Sequence, residues 1–244
     1  MALNFAVIAC IDDRIDWQRT YQIDVQTQTA YQRVSSGRKL HSGLQARFLR
    51  PPRSQDRVPL VVFLHGAGQR GADNVQQLLT LPQQLYRSSE IPCAVLAPQC
   101  PCGSSWSSWM PELEELIERT IQQQHIDPDR IYLTGLSMGG FGSWELGARR
   151  SDLFAAIVPV CGGGRPNYAE SLKNLPLWAV HGSEDTVVLP ERSREMITAI
   201  QSVGGTPRYT ELLGAGHNCW QYAYDPESGI LKWMFQQRRP SRQE

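Results

Sequence analysis

Six short apolar runs, separated by segments of helical periodicity, are the feature that most restricts the fold of this 244-residue chain. The runs are LVVFL (60–64), CAVLA (93–97), IYLT (131–134), AAIVPV (155–160), LWAV (177–180) and YTELL (209–213). Continuous apolar runs of this length are typical of strands buried on both faces of a parallel sheet. Segments such as PELEELIERTIQQQ and PERSREMITAIQSV place apolar residues at helical spacing between the runs. The alternation predicts an α/β domain with a mostly parallel central sheet and helices on both faces.

The first 57 residues have a different pattern. FAVIAC, TYQIDVQTQT and SGLQARFLRPP are short segments of partly alternating polarity. Such segments predict antiparallel strands. The apolar patch in FAVIAC is too short for the core of a secretory signal and no basic segment precedes it, so we interpret it as a strand. We therefore expect a cytoplasmic protein, or a secreted one if a signal peptide has been removed.

Charge and cysteine content exclude several classes of partner. Acidic and basic residues balance at 24 each, so we expect neither nucleic acid nor an anionic membrane as a partner, and the oligomeric state stays open. No apolar stretch is long enough to span a bilayer as a helix. In a chain of this size we expect the cysteines to be reduced thiols, and their spacing predicts no metal site. The cysteines are Cys10, Cys93, Cys100, Cys102, Cys161 and Cys219.

The stretch TGLSMGGFG (134–142) follows the strand IYLT and precedes a segment, from about Gly140 to WELGARR, that we expect to be helical. G-x-S-x-G between strand and helix is the pattern of a sharp turn that exposes a nucleophilic serine. Ser137 is the candidate nucleophile. The alternatives are a glycine-rich helix start that only packs closely, or one that binds phosphate. The phosphate alternative lacks the Lys-Ser/Thr of a P-loop and the G-x-G-x-x-G of a dinucleotide-binding turn.

A serine nucleophile needs a base, and the base needs an acid that orients it. His217, in the glycine-rich loop GAGHNCW after the last apolar run, is the candidate base. Asp185, in the turn after LWAVHG, is the candidate acid and is preferred to the adjacent Glu184. The order Ser137, Asp185, His217 is the order found when such a triad is built on an α/β sheet.

Two backbone N–H groups are needed to stabilise an oxyanion, and we expect one from Met138, the residue after the serine. The second is expected from HGAG, directly after LVVFL, with Ala67 as first choice and Gly68 as the next. His65 of the same segment is interpreted as a structural residue that holds this loop. The alternative for HGAG is an ordinary strand-to-helix turn.

Taken together, HGAGQRGADN, APQCP, DPDRIYLTGLSMGGFGSW, PVCGGG, HGSEDTVV and GAGHNCW resemble motifs of the α/β-hydrolase superfamily. The resemblance is greatest to the phospholipase/carboxylesterase group and its feruloyl-esterase-like and "predicted peptidase" relatives, and it spans about residues 44–236. It implies a serine carboxylic-ester hydrolase that uses no metal and no organic cofactor. It also implies the same site: Ser137, Asp185 and His217, with Met138 and Ala67 as oxyanion donors. Related dienelactone hydrolases carry a cysteine where this chain has serine, which favours ordinary esters.

These observations predict three parts: a strand-rich extension at 1–40 packed on the core, an α/β-hydrolase catalytic domain at 41–237, and a frayed tail at 238–244. Only 47 residues separate Ser137 from Asp185, so no large cap domain fits there and we expect an open cleft. Side chains near the expected rim are candidate substrate contacts, because tryptophan stacks on sugar and phenolic rings. They are Trp106, Trp109, Asn218 and Trp220.

Each rim residue also has a structural interpretation: a tryptophan can anchor a helix start to the core, and Asn218 can hold its own loop. Short-chain or aromatic acyl esters, including feruloyl and acetyl esters of carbohydrates, are the expected substrates. A serine peptidase of the same fold is the second hypothesis, and a non-catalytic binding protein on a hydrolase scaffold is the third. The third hypothesis predicts a broken triad, whereas this sequence carries all three residue types.

Overall fold

The computed structural model describes residues 32–35, 44–51, 57–87 and 93–239. The strands that it contains form one eight-stranded sheet in the order β1-β2-β4-β3-β5-β6-β7-β8. They are β1 (Gln32–Ser35), β2 (Gln45–Leu49), β3 (Val58–Leu64), β4 (Ala94–Pro98), β5 (Ile126–Leu136), β6 (Ala156–Val160), β7 (Trp178–Gly182) and β8 (Arg208–Leu212). Strands β3 to β8 pair in parallel, and each of the six apolar runs overlaps one of them to within one residue. This confirms the predicted mostly parallel sheet.

The antiparallel strands lie at one end of the sheet. β2 pairs antiparallel with β4 on one side and with β1 on the other, as the pattern of SGLQARFLRPP predicts. β1 itself was not predicted, because QRVS is too short and polar to stand out. FAVIAC and TYQIDVQTQT lie outside the described residues, so the predicted extension at 1–40 is represented here by β1 alone.

Helices pack on both faces of the sheet. They are α1 (Leu81–Arg87), α2 (Met110–Gln123), α3 (Met138–Arg149), α4 (Ala169–Leu172), α5 (Glu191–Ser202), α6 (Trp220–Ala223) and α7 (Ile230–Gln236). Successive side chains of a strand point to opposite faces, and β3 shows this directly. Leu60, Val62 and Leu64 join a core with α2, α3 and α5. Val61 and Phe63 join a second core with α1, α6 and α7. Burial of both strand faces explains why β3 is apolar throughout.

One apolar run does not behave as a strand buried on both faces. β8 is only partly buried, although its sequence contains the run YTELL. Among the described strands it is the last of the sheet order and pairs with β7 alone. Its five residues pair with Trp178–Gly182 in register. The expectation of full burial was therefore wrong for β8.

The carboxyl ends of the parallel strands position the residues of interest at one edge of the sheet. The segment between Ser137 and Asp185 consists of α3, β6, α4, β7 and their connections, and no residue in it forms a separate cap domain.

Five cysteines lie in the described residues and are free thiols, whereas Cys10 lies outside them. Within the described ranges, no helix is both long and apolar enough to cross a membrane.

Of the tail predicted at 238–244, the structure describes residues 238 and 239. The backbone N–H of Arg239 donates to the carbonyl oxygen of Asp129 at 2.9 Å, and its guanidinium donates to the carbonyl oxygen of Asp152 at 2.8 Å. The end of the chain is therefore tied to the sheet up to Arg239. Residues 240–244 lie outside the described residues.

Candidate active site

Ser137 occupies a strained turn between β5 and α3. Its φ of 54° and ψ of −117° lie where L-residues other than glycine are rarely found. Its N–H donates to the Val160 carbonyl oxygen at 3.0 Å, which fixes the turn to the end of β6. Helix α3 begins at Met138, two residues before the expected start at Gly140, and leaves the N–H of Met138 without an intrahelical acceptor. The positive end of the helix dipole therefore lies beside the serine.

The glycines of G-x-S-x-G are required by close backbone contacts. A Cβ built on Gly135 would lie 2.4 Å from the Gly139 carbonyl oxygen and 2.6 Å from that of Leu64. A Cβ built on Gly139 would lie 1.8 Å from the Leu64 carbonyl oxygen. Both contacts are with backbone atoms, which cannot move aside as a side chain would. The turn can pack against β3 only if both positions lack a side chain.

Three side chains from three strand ends form a hydrogen-bonded chain. His217 Nε2 lies 2.9 Å from Ser137 Oγ, and His217 Nδ1 lies 2.7 Å from Asp185 Oδ2. Ser137 and Asp185 are buried, and His217 is mostly buried. Since ionised Asp185 can only accept, His217 Nδ1 carries the hydrogen and Nε2 is the acceptor for the serine hydroxyl. In this arrangement His217 can take the proton of Ser137.

The loops after β7 and β8 are joined to one another, and this brings Asp185 and His217 together. The N–H of Glu184 donates to the Ala215 carbonyl oxygen at 2.9 Å, and the N–H of Ser183 donates to that of Leu212 at 3.0 Å. A Cβ built on Gly182 would lie within 2.2 Å of the carbonyl oxygen of Gly216, so the two loops approach as closely as glycine permits. The side chain of Glu184 is exposed and does not contact the histidine.

Asp185 is held as a carboxylate by four donors. Oδ1 accepts from the N–H groups of Val187 and Val188, both at 2.9 Å. Oδ2 accepts from His217 and lies 3.2 Å from His181 Nε2. Burial by itself would raise the pKa of Asp185, but the hydrogen bonds from the two histidines and from Val188 outweigh it and lower the pKa well below its usual range. The acid therefore remains ionised at any pH near neutrality.

The segment HGAG lies directly against the serine. A Cβ built on Gly66 would lie 3.7 Å from the Ser137 Cβ. The N–H of Gly66 donates to Gln69 Oε1 at 3.2 Å, and Ala67 begins a single 3-10 turn, Ala67–Gln69. First-turn N–H groups have no acceptor within their own helix, so the N–H groups of Ala67 and Gly68 have no acceptor within this turn.

His65 ties the HGAG loop to the end of β4. Its Nδ1 donates to the Gly66 carbonyl oxygen at 2.6 Å, and its Nε2 accepts the N–H of Cys100 at 2.9 Å. The residue is fully buried, and burial lowers the pKa of its imidazole to about 4. A neutral imidazole with one donor and one acceptor matches both partners. His65 thus holds the loop through its side chain and does not contact Ser137.

The tryptophans expected at the rim occupy different environments. Trp106 is wrong as a substrate contact, because it is 1% exposed and its Nε1 donates to the His65 carbonyl oxygen at 3.0 Å. Trp109 is partly buried against the core and donates to Ser104 Oγ at 2.9 Å. Trp220 alone lies beside the triad, with its ring 5.6 Å from the His217 ring in an edge-to-face arrangement.

Asn218 is exposed and lines a surface hollow between the His217 loop and α6. Leu212, Ala215 and Tyr222 also line this hollow, whereas Ser137 does not. Asn218 thus follows the candidate base directly in the sequence, but the hollow that it lines does not include the nucleophile. Its role as a substrate contact stays a prediction.

Three residues at the site were given no role by the sequence. Gln69 closes the HGAG loop, Gly182 permits the contact between the two loops, and His181 lies against Asp185. A signal existed for His181, since HGSED places a histidine four residues before the acid. No local pattern distinguishes Gln69 or Gly182 from ordinary loop residues.

The chain is similar to esterases and to a depolymerase. The chain is similar to the solved structure of a thermostable esterase, with a TM-score of 0.78 and 33% identity over 86% of this chain and 64% of that one. It is 28% identical over 138 residues to the bifunctional acetylxylan esterase/xylanase XynS20E of Neocallimastix patriciarum, a match that covers 53% of this chain. It is 23% identical over 137 residues to poly(3-hydroxyalkanoate) depolymerase C of Paucimonas lemoignei, over 42% of this chain. No protein-family profile matches the chain.

The match covers a small part of the two sequence relatives. The chain spans 20% of the acetylxylan esterase/xylanase and 33% of the depolymerase. The solved esterase is covered to 64% of its length. The chain therefore spans less than two thirds of each of these three proteins.

Proposed function

From the place of this chain in the α/β-hydrolase superfamily, we propose that it hydrolyses carboxylic esters through an acyl-enzyme formed on Ser137. The observation that carries this proposal is the hydrogen-bonded chain from Ser137 through His217 to Asp185, set at a strained strand-to-helix turn. The names of the similar proteins, two esterases and a depolymerase, support the same reaction class.

In the first half of the reaction, His217 Nε2 takes the hydroxyl proton while Ser137 Oγ attacks the ester carbonyl carbon. The carbonyl oxygen becomes an oxyanion and accepts hydrogen bonds from the N–H groups of Met138 and Ala67, with Gly68 as the alternative to Ala67. Each such donor contributes about 3–4 kcal/mol in the transition state. Asp185 holds the tautomer of His217 and stabilises the imidazolium that forms.

The second half of the reaction regenerates the enzyme. The imidazolium of His217 protonates the leaving alcohol oxygen as the carbon–oxygen bond breaks, and Ser137 remains acylated. Water then gives a proton to His217 and attacks the acyl carbon. Collapse of the second oxyanion releases the carboxylic acid and returns the proton to Ser137 Oγ. No metal or organic cofactor enters either half.

We place the substrate among short-chain or aromatic acyl esters, with acetyl and feruloyl esters of carbohydrates as the first candidates. Two features support this class. The segment between Ser137 and Asp185 forms no cap, which favours a bulky or polymeric alcohol in an open cleft. The half-buried ring of Trp220 lies beside His217, where it can stack on a sugar or phenolic ring.

The experiment compares wild type with Ser137→Ala on a fluorophosphonate probe and on p-nitrophenyl esters, methyl ferulate and acetylated xylan. We expect labelling and turnover in wild type and neither in Ser137→Ala. The matched control is Ser202→Ala, which changes an exposed serine whose hydroxyl donates to the Ala199 carbonyl oxygen, and this variant should retain both. Ester hydrolysis by Ser137→Ala at the wild-type rate contradicts the proposal. A matched amide substrate cleaved as fast as its ester indicates a peptidase instead.

A further inference from the structure

A second imidazole, that of His181, lies behind the triad acid. His181 is the fourth residue of β7 and is completely buried. Its Nε2 lies 3.2 Å from Asp185 Oδ2 and 2.8 Å from the Val188 carbonyl oxygen. The reaction described above does not use this side chain. Because this buried imidazole contacts the triad acid but takes no part in the proposed reaction, its role must differ from that of a catalytic residue.

The partners of His181 determine where its proton lies. Asp185 Oδ2 and the Val188 carbonyl oxygen are both acceptors, so Nε2 carries a hydrogen that the two oxygens share, with the shorter contact to Val188. The same Asp185 oxygen accepts from His217 Nδ1 at 2.7 Å. Oδ2 therefore has a nitrogen of each of the two imidazoles within hydrogen-bonding distance. Among the described residues that contact this carboxylate as donors, His181 is the one side chain outside the proposed triad.

The other nitrogen of His181 connects the acid to the nucleophile turn. Nδ1 lies 2.8 Å from Ser193 Oγ on α5, and that hydroxyl lies 3.0 Å from the Gly162 carbonyl oxygen. Gly162 follows β6 and packs on α3, because a Cβ built on it would lie 2.6 Å from the carbonyl carbon of Gly140. A continuous set of contacts thus runs from Asp185 to the first turn of the helix that follows Ser137.

We infer that His181 is a positioning residue that holds Asp185 Oδ2 toward His217 and fixes the acid loop to the nucleophile turn. This inference rests on the proposed function. A carboxylate can rotate about its Cβ–Cγ bond, and the two backbone donors hold Oδ1 only. The donor from His181 fixes the second oxygen before His217 becomes charged. Its effect therefore appears in the rate of acyl transfer and not in substrate binding.

Two amide variants test the contacts of the two imidazole nitrogens one at a time. The amide nitrogen of glutamine reaches the position of Nε2, and that of asparagine reaches the position of Nδ1. His181→Gln keeps the donor to Asp185, whereas His181→Asn keeps a partner for Ser193 and loses the donor. We expect kcat of His181→Asn on p-nitrophenyl acetate to fall about 10- to 100-fold with little change in KM, since displacement of a catalytic group by about 1 Å costs on that order. We expect His181→Gln to recover about tenfold of that loss.

A spectroscopic readout does not depend on turnover. The proton shared by His217 Nδ1 and Asp185 gives a low-field proton resonance in NMR spectra of the folded protein. We expect this resonance in wild type and His181→Gln, and its broadening or loss in His181→Asn. Folded His181→Asn with wild-type kcat and an unchanged resonance overturns the inference.

A third variant covers the case in which His181→Asn does not fold. Ser193→Ala removes the partner of Nδ1 and should lower kcat several-fold, and wild-type kcat in folded Ser193→Ala then counts against the inference. A failure of the proposed function is distinguishable from these results. In that case wild type itself hydrolyses no ester and takes up no fluorophosphonate, while the resonance still reports whether His181 positions Asp185.

Discussion

Gly139 packs directly on the backbone of Leu64, so closely that a Cβ on Gly139 would lie 1.8 Å from the Leu64 carbonyl oxygen. This contact joins the start of α3 to the end of β3, the two elements that carry the serine turn and the HGAG loop. Because the contacting atom belongs to the backbone of a buried central strand, no rotamer change can relieve a clash there.

We expect Gly139→Ala to lower the free energy of unfolding by about 3 kcal/mol or more, which exceeds most overpacking effects, or to prevent folding. The matched control is Gly68→Ala, where a Cβ would meet nothing within 4 Å. Gly68→Ala should stay within about 0.5 kcal/mol of wild type, as exposed substitutions usually do. Urea unfolding followed by circular dichroism measures both. Equal stability of the two alanine variants contradicts the packing argument.

Asp185→Asn should lower kcat by about 10³- to 10⁴-fold with little change in KM. The amide cannot hold the Nδ1–H tautomer of His217, and a wrong tautomer has a cost of that order in a serine triad. Glu184→Gln is the control, because Glu184 is adjacent to the acid and its side chain is exposed. Initial rates on p-nitrophenyl acetate check both variants. A large loss in Glu184→Gln with activity retained in Asp185→Asn would show that the acid has been misassigned.

We expect the protein to become less stable as the pH falls below about 6.5, because His65 is buried in its neutral form. Burial lowers the pKa of His65 from 6.5 to about 4, so between these values the unfolded chain binds a proton that the folded chain does not. Stability from this residue is therefore present above about pH 6.5 and is lost as the pH falls toward 4, by about 3 kcal/mol in all.

Urea midpoints measured between about pH 7 and about pH 4.5 test the contribution of His65. Asp185, whose pKa is lowered, contributes its own loss only below about pH 4, outside that window. His65→Asn keeps a donor for the Gly66 carbonyl oxygen and cannot become charged, so its stability should depend less on pH than that of wild type. Parallel pH dependence in the two proteins rules out His65 as the source.

Trp106→Ala should destabilise the protein by about 3–5 kcal/mol, the usual cost of truncating a buried tryptophan. The ring is 1% exposed and its N–H bonds the His65 carbonyl oxygen, so truncation opens a cavity and leaves that oxygen without this donor. Trp220→Ala should cost less stability and should raise KM for aromatic esters. Differential scanning calorimetry and Michaelis profiles on methyl ferulate measure the two effects. A raised KM in Trp106→Ala without loss of stability, together with an unchanged KM in Trp220→Ala, would restore Trp106 as a substrate contact.

Much of the fold followed from patterns that lie close together in the chain. Burial of a strand on both faces leaves a continuous apolar run, and this is why β3 to β7 were recognisable from their sequences. β1 is short and polar, and it pairs with a strand that begins ten residues after β1 ends, so local pattern gave no sign of it. β8 contains an apolar run but is the last of the described strands in the sheet, and its place there depends on the order of strands in space.

The candidate site, like the fold, could be predicted from the sequence only in part. The spacing and order of residues were enough to select Ser137, Asp185 and His217, because a strained serine turn needs glycines beside it and a base and an acid after it. Trp106 shows the limit of this reasoning, since the same tryptophan could face a substrate or the core. Which of the two it does depends on how α2 and α3 pack, and no local pattern carries that information.

The sequence by itself determined the α/β alternation, the serine turn and the chemical types of its partners, because these depend on periodicity and on steric demands within a few residues. Only the tertiary structure decided that the loops after β7 and β8 join at Gly182, that Gly66 lies against Ser137, and that His181 shares an oxygen of Asp185 with His217. Each of these contacts links segments or side chains whose separation is set by the packing of the sheet. Distances of a few ångströms between such groups arise only when the whole core is assembled.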